Sequence, residues 1–180
     1  TGLGRIGSYT SSFEVDCDIV CLGKLLGGGF PLSVCFGKEE VMKAWDLGRE
    51  ESLHTGTFFG HALMCALAKE TLLEIKESSL CERSLELGAF AKEYLETGLK
   101  DFSIFHEVRS KGLLLGVEFQ EDGFAVSLMK KLKEKGVIVI PSGDKARILS
   151  ITPSLNIEKD ILKEALSLII ESVQELSYKR

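Results

Sequence analysis

The stretch Cys17–Pro31, CDIVCLGKLLGGGFP, runs an apolar segment into Lys24 and then, after two leucines, into Gly27, Gly28 and Gly29. On either side, residues 18–22 (DIVCL) and 32–36 (LSVCF) are short β-branched or apolar runs bounded by Gly and Pro, the pattern of buried strands. A lysine at the C-terminal end of a buried strand lies where open α/β sheets bind ligands. Burial there penalises the ammonium form and leaves an amine that can act as a nucleophile near neutrality. The bland alternative is a solvated lysine that opens a turn.

An amine of that kind suits condensation with a carbonyl compound, including the aldehyde of pyridoxal phosphate. The glycines at 27, 28 and 29 would let the backbone turn tightly beside a flat, bulky group. Further on, His54–His61 reads HTGTFFGH, a Thr-Gly-Thr placed just ahead of a helix start. Its hydroxyls and free backbone N–H groups suit a phosphate, whereas a simple helix cap is the plainer reading.

Two nearby glycine patterns fail their tests. Gly2–Gly7, GLGRIG, matches GxGxxG, but the segment SYTSSFEVD that follows has no helical pattern and no strand precedes it. The GK pair at 23–24 lacks the Walker glycine, since residue 18 is Asp, and lacks the Ser or Thr after the lysine, since residue 25 is Leu.

Composition narrows the classes. With 180 residues, 44% hydrophobic and 27% charged, the chain has the make-up of an ordinary globular protein. Its net charge of −5 is spread along the chain and predicts neither nucleic-acid nor membrane partners. No apolar run reaches the roughly 18 residues of a membrane span, and no N-terminal signal pattern is present. Cys17, Cys21, Cys35, Cys65 and Cys81 form no CxxC pair and no zinc pattern, so they read as reduced core thiols of a cytoplasmic protein. The opening TGLGRIGSYT lacks a methionine and reads as the middle of a loop, as expected of a piece of something longer.

Periodicity divides the chain near Ser78. Before it come the two strands, a short helix in KEEVMKAW and a helix over residues 61–77. After a cap and break at SSL, a helix is expected over residues 80–99, with Leu85, Leu87, Phe90, Ala91, Tyr94 and Leu95 as its apolar face. Strands follow in IFHEVRSKGLLLGVEF, joined at Ser110–Gly112, then a helix closed by Gly136, strands at VIVI and RILSIT, and a long amphipathic helix capped by Asn156. The first part reads as α/β and the second as an α+β layer.

Taken together, TGLGRIG, DIVCLGK, GGGFP and HTGTFFGH, in this order and spacing, resemble the class III, fold-type I, pyridoxal-phosphate-dependent aminotransferases. VRSKGLLLGVEF and SITPSLNI resemble that family's C-terminal domain, so the likeness covers essentially the whole chain. The resemblance implies residues 1–77 as part of a large cofactor-binding domain and residues 78–180 as a small C-terminal α+β domain. It implies Lys24 as the Schiff-base lysine and the general acid/base of proton transfer, and Thr57 as a ligand of the cofactor phosphate, reached across a homodimer interface. The implied reaction moves an amino group from an amino acid or amine to a 2-oxo acid or aldehyde, although aminomutases and decarboxylases share the lysine motif.

The departures also carry expectations. The family's upstream acidic stretch, its other phosphate loop and its stacking aromatic have no counterpart in these residues, so these residues alone are expected to bind cofactor poorly. The rival reading is a non-catalytic, dimerising remnant. His61-Ala62 stands where the family has Asn-Pro. Ser150 stands three residues before Pro153, where many members have a carboxylate-binding arginine, and Arg147 would face the other side of an extended strand. An ω-amino acid or amine donor is therefore expected.

Overall fold

The structure, a computed structural model, describes residues 2–10, 15–45 and 56–178. Its second half is built on a four-stranded antiparallel sheet of order β3-β4-β6-β5, formed by β3 (Phe105–Lys111), β4 (Leu114–Phe119), β5 (Ile140–Ser142) and β6 (Ile148–Ile151). Along β4 half-buried and buried residues alternate, placing Leu115, Val117 and Phe119 on one face. Three helices cover that face. α3 (Leu80–Leu99) packs on β3 and β4, α4 (Phe124–Glu134) on β5 and β6, and α5 (Lys159–Ser177) on α3 and α4.

The core between these layers holds Leu95, Leu99, Leu128, Leu132, Leu149 and Leu166, each fully buried. Burial of each such side chain contributes about 1.5–3 kcal/mol. The rings of Phe119 and Phe124 meet at 4.7 Å, joining the end of β4 to the start of α4. α4 ends as its sequence predicts. Gly136 takes φ +83°, and the N–H groups of Gly136 and Val137 donate to Lys133 O and Leu132 O, the paired closure that a left-handed glycine permits.

That closure explains a correction. VIVI was expected as a strand, but only Ile140 of it enters β5, because the Val137 amide is committed to the helix end. β5 instead runs through Pro141, which an edge strand tolerates. Asn156 does not cap α5; Glu158 occupies that position, and no side chain bonds the free amides. Ser79 adopts a left-handed conformation before α3 without a side-chain cap bond. On α3, Leu85 is half exposed, and the inner face is made by Leu87, Ala91, Leu95 and Leu99 with Ser84 and Gly88.

In the first half, β1 (Ile19–Leu22) pairs with β2 (Val34–Gly37) as a two-stranded antiparallel sheet, followed by α1 (Glu39–Met42) and α2 (Ala62–Glu77). Neither strand is buried: Ile19, Val34 and Phe36 are exposed. Among the described residues no second layer faces the hairpin, so the burial expected of these strands is not supplied by them. The cysteines are corrected with it, since Cys81 is buried but Cys21, Cys35 and Cys65 are exposed. Among the described residues no helix is long and apolar enough to cross a membrane.

Candidate active site around Lys24

β1 ends at Leu22, Gly23 is extended, and Lys24 opens a 3-10 turn, Lys24–Gly27, with φ +52°. A left-handed lysine is uncommon, and such conformations gather at functional sites. The turn is anchored through Leu26, which is buried, and through Gly28, where an added Cβ would sit 2.8 Å from Thr71 Oγ1 of α2. Gly28 and Gly29 both have positive φ, which carries the chain round to Pro31 and β2. The glycines after the lysine thus serve close packing on α2 and a sharp reversal.

Lys24 itself is exposed, at the wall of an open cavity of about 750 Å³ shared with Arg5, Thr10, Gly29, Leu114 and Thr152. Burial of the amine, expected from the strand pattern, is not supplied by the described residues, because the hairpin faces open space on that side. Among the described residues the lining includes two cations, Lys24 and Arg5, and no carboxylate. This donor set suits an anion.

Arg5 ties the wall together. Its Nη1 donates to Leu113 O at 3.3 Å and to Pro153 O, while its own carbonyl accepts from Leu113 N–H at 2.9 Å and from Ser84 Oγ at 2.6 Å. Burial lowers the Arg5 pKa from its usual value. The β3–β4 turn can reach this node because Gly88 and Gly112 lack side chains: a Cβ on Gly88 would lie 2.1 Å from Gly112 O. Arg5, Thr10 and Thr152 were missed by sequence reasoning. Arg5 stood inside a quoted motif without a role, and its contact with Ser84, 79 residues away, left no local signal.

Thr57 lies in the turn before α2, exposed, and does not line the Lys24 cavity. One chain therefore does not bring the two predicted site residues into one cavity. His54 and Thr55 of the same motif lie outside the described residues. His61 occupies the cap position of α2 and Ala62 its first turn, so the His-Ala pair fits a helix start. Ser150 is half-buried on β6, its Oγ 2.9 Å from Ser142 Oγ. Arg147 is engaged elsewhere: its Nε donates to Asp122 Oδ1 at 2.6 Å, and that hydrogen bond holds the Asp122 carboxyl below the usual range.

The family profile for class III aminotransferases matches residues 1–173. The chain belongs to this family. It is 36% identical to the ornithine aminotransferase of Plasmodium falciparum over 178 residues, which are 97% of this chain and 42% of that protein. It is 32% identical to the acetylornithine aminotransferase of Bacillus subtilis, over 96% of this chain and 43% of that one. A solved ornithine aminotransferase of Toxoplasma gondii, with pyridoxal phosphate partially occupying its active site, superposes with a TM-score of 0.87 at 33% identity, covering 99% of this chain and 42% of that one. The mixed α/β fold is thus that of the aminotransferases over part of their length. The chain spans about 42% of the relatives it matches.

Proposed function

We propose that the protein carrying these residues transfers an amino group from an amino acid or amine to a 2-oxo acid or aldehyde with pyridoxal phosphate as cofactor. The observation that carries this reading is Lys24, held with positive φ at the end of β1 over a cation-lined cavity, in a chain of the class III family.

The cavity residues fit one end of that cofactor. A primary amine beside an open space whose described lining holds no carboxylate suits an aldehyde and an anionic ring substituent, so Lys24 would hold the cofactor through Nζ. When bound, the cofactor supplies an electron sink for the substrate's α-electrons. Lys24 Nζ then takes the proton from the substrate carbon bearing the amine and returns a proton on the other side of the transfer. Thr57 would serve a phosphate from the neighbouring protomer of a homodimer; its absence from the Lys24 cavity of its own chain agrees with that arrangement. The desolvation that Lys24 lacks here would come with cofactor and partner. Arg5 keeps Thr152 and Leu114 at the cavity wall through its bonds to Pro153 O and Leu113 O.

Residues 1–77 belong, in this reading, to the large domain and residues 78–180 to the small one, with the exposed apolar side chains of β1 and β2 as support. Ser150, paired with Ser142, offers hydroxyls where a cation would receive a carboxylate, which supports an ω-amino acid or amine donor. The reaction belongs in the cytoplasm.

The test uses the native full-length protein. Borohydride in the presence of pyridoxal phosphate should fix the cofactor to the peptide containing Lys24. Lys24→Ala should remove the visible absorbance and lower transamination by about 10²–10⁴-fold, the usual weight of a positioned acid/base, while circular dichroism stays unchanged. Equal cofactor binding by Lys24→Ala, with no reducible adduct in the native protein, returns the family member to a non-catalytic role. A panel of amine donors with and without an α-carboxylate then tests Ser150.

A further inference from the structure

Arg5 sits where the β4–β6 ladder runs out of donors. The Phe119 N–H donates to Arg147 O at 3.0 Å, which marks 119/147 as a hydrogen-bonded position between the two strands. Alternation along the register then makes Val117/Leu149 and Leu115/Ile151 hydrogen-bonded pairs, and two positions further on it sets Leu113 against Pro153. Proline has no N–H, so this rung cannot close and Leu113 O receives nothing from the residue opposite. Arg5 supplies the missing partners. Its Nη1 donates to Leu113 O at 3.3 Å and to Pro153 O, and its own carbonyl accepts the Leu113 N–H at 2.9 Å.

The rung beside this clamp faces the site. By the same register Leu114 stands opposite Thr152, at a position without ladder bonds, where paired side chains lie closest. Alternation puts the two on the face opposite buried Leu115 and Ile151, and both line the cavity of Lys24. Each is the chain neighbour of a residue whose carbonyl Arg5 holds. Ser84 Oγ, donating to Arg5 O at 2.6 Å, fixes the clamp from the side of α3. Every one of these partners lies within the 180 residues, so the clamp does not depend on what covers their outer faces.

We propose that Arg5 is a positioning residue for the transfer: in place of the N–H that Pro153 lacks, it fixes the Leu114–Thr152 pair as the wall that sets the amino donor against Lys24. The role rests on the proposed aminotransferase activity and names the residue that shapes its donor site. A guanidinium suits the task because its donors are set in a rigid plane, whereas lysine offers a point charge on a flexible stem. Arg5 moves no proton and touches no reacting atom. Its loss frees the wall, so donor binding weakens while proton transfer at Lys24 Nζ keeps its rate.

The test uses the native full-length protein, with the fastest member of the amine panel, ornithine included, as donor. Arg5→Met should raise the donor KM about 10-fold and change kcat by less than about 3-fold. Arg5→Met combined with Pro153→Ala, which returns an N–H to the open rung, should bring KM back to within about 3-fold of the native value. Amide exchange of the cofactor-free protein gives a second readout: Arg5→Met should speed exchange at Leu115 and Ile151, next to the clamp, and leave Val117 and Leu149 as they were. Where Arg5→Met does not fold, Arg5→Lys replaces it, with a smaller rise in KM expected and an unmoved KM counting against the role. Absence of a borohydride-reducible adduct on Lys24 in the native protein would remove the transferase reading and this role with it. With that adduct present, a donor KM unmoved by Arg5→Met, a loss confined to kcat, or exchange raised equally along all of β4 and β6 would overturn the positioning role alone.

Discussion

β2 and β4 are both short apolar strands in antiparallel pairs, yet β4 buries every second residue and β2 buries none. The difference lies in what stands above them. β4 is flanked by β3 and β6 and roofed by α3, so Leu115, Val117 and Phe119 meet a second layer. Among the described residues β2 has only β1 beside it, and an isolated hairpin is marginal in water. The same contrast holds for the helices, since α2 leaves Leu63 and Leu72 exposed while α3 buries Leu95 and Leu99 completely. Apolar sequence supplies the means of burial; a facing layer completes it.

The sharpest test of this contrast is a pair of truncations. Leu95→Ala, deep in the closed half, should cost about 2–5 kcal/mol in urea denaturation. Ile19→Ala, on the open strand, should change the stability of these 180 residues alone by no more than about 0.5 kcal/mol. If the native full-length protein instead loses as much at Ile19 as at Leu95, the outer face of the hairpin is covered there, and the assignment of residues 1–77 to a larger domain gains direct support.

A second experiment addresses the seam between the halves. Gly88→Ala would drive a Cβ to 2.1 Å from Gly112 O, a backbone atom in the turn that holds Arg5. Because backbone must move, the expected loss is about 1–3 kcal/mol. Pro153 O and Leu113 O should shift with it, loosening Arg5 and the cavity wall. Unchanged stability in Gly88→Ala would mean that this close approach does not fix the turn that meets Arg5.

How much of this was legible beforehand follows from which interactions are local. α3 was readable to its end residues because twenty residues of helical pattern are bounded by a break at Ser78–Ser79 and a change of period after Leu99. The β3–β4 hairpin, α4 and its glycine closure were equally plain. VIVI misled because the helix closure at Gly136 claims the Val137 amide, which a strand pattern cannot reveal. The buried-strand reading of DIVCL and LSVCF described residue types correctly but could not show which layer would face them. At the site, the position of Lys24 in a turn just after β1 was legible from its motif, whereas the joining of Arg5 to Ser84, Leu113 and Pro153 spans too much chain for any local pattern.

The smallest expected effect separates surface charge from core in the closed half. Glu175 of α5 accepts from Lys131 and Lys135 at the end of α4, the latter at 2.8 Å. The hydrogen bond from Lys131, then that from Lys135, lowers its carboxyl pKa from 4.5 to about 2. Since the folded value is the lower one, the unfolded chain takes up the proton first as pH falls. The pair's contribution is therefore complete above about 4.5 and is lost between there and about 2. Glu175→Gln should flatten the acid side of the stability profile in that window, and added salt should shrink the difference because the pair is exposed. An acid slope unchanged by the substitution at low salt would show that this link does not clamp α4 to α5, leaving their shared leucines as the whole of the hold.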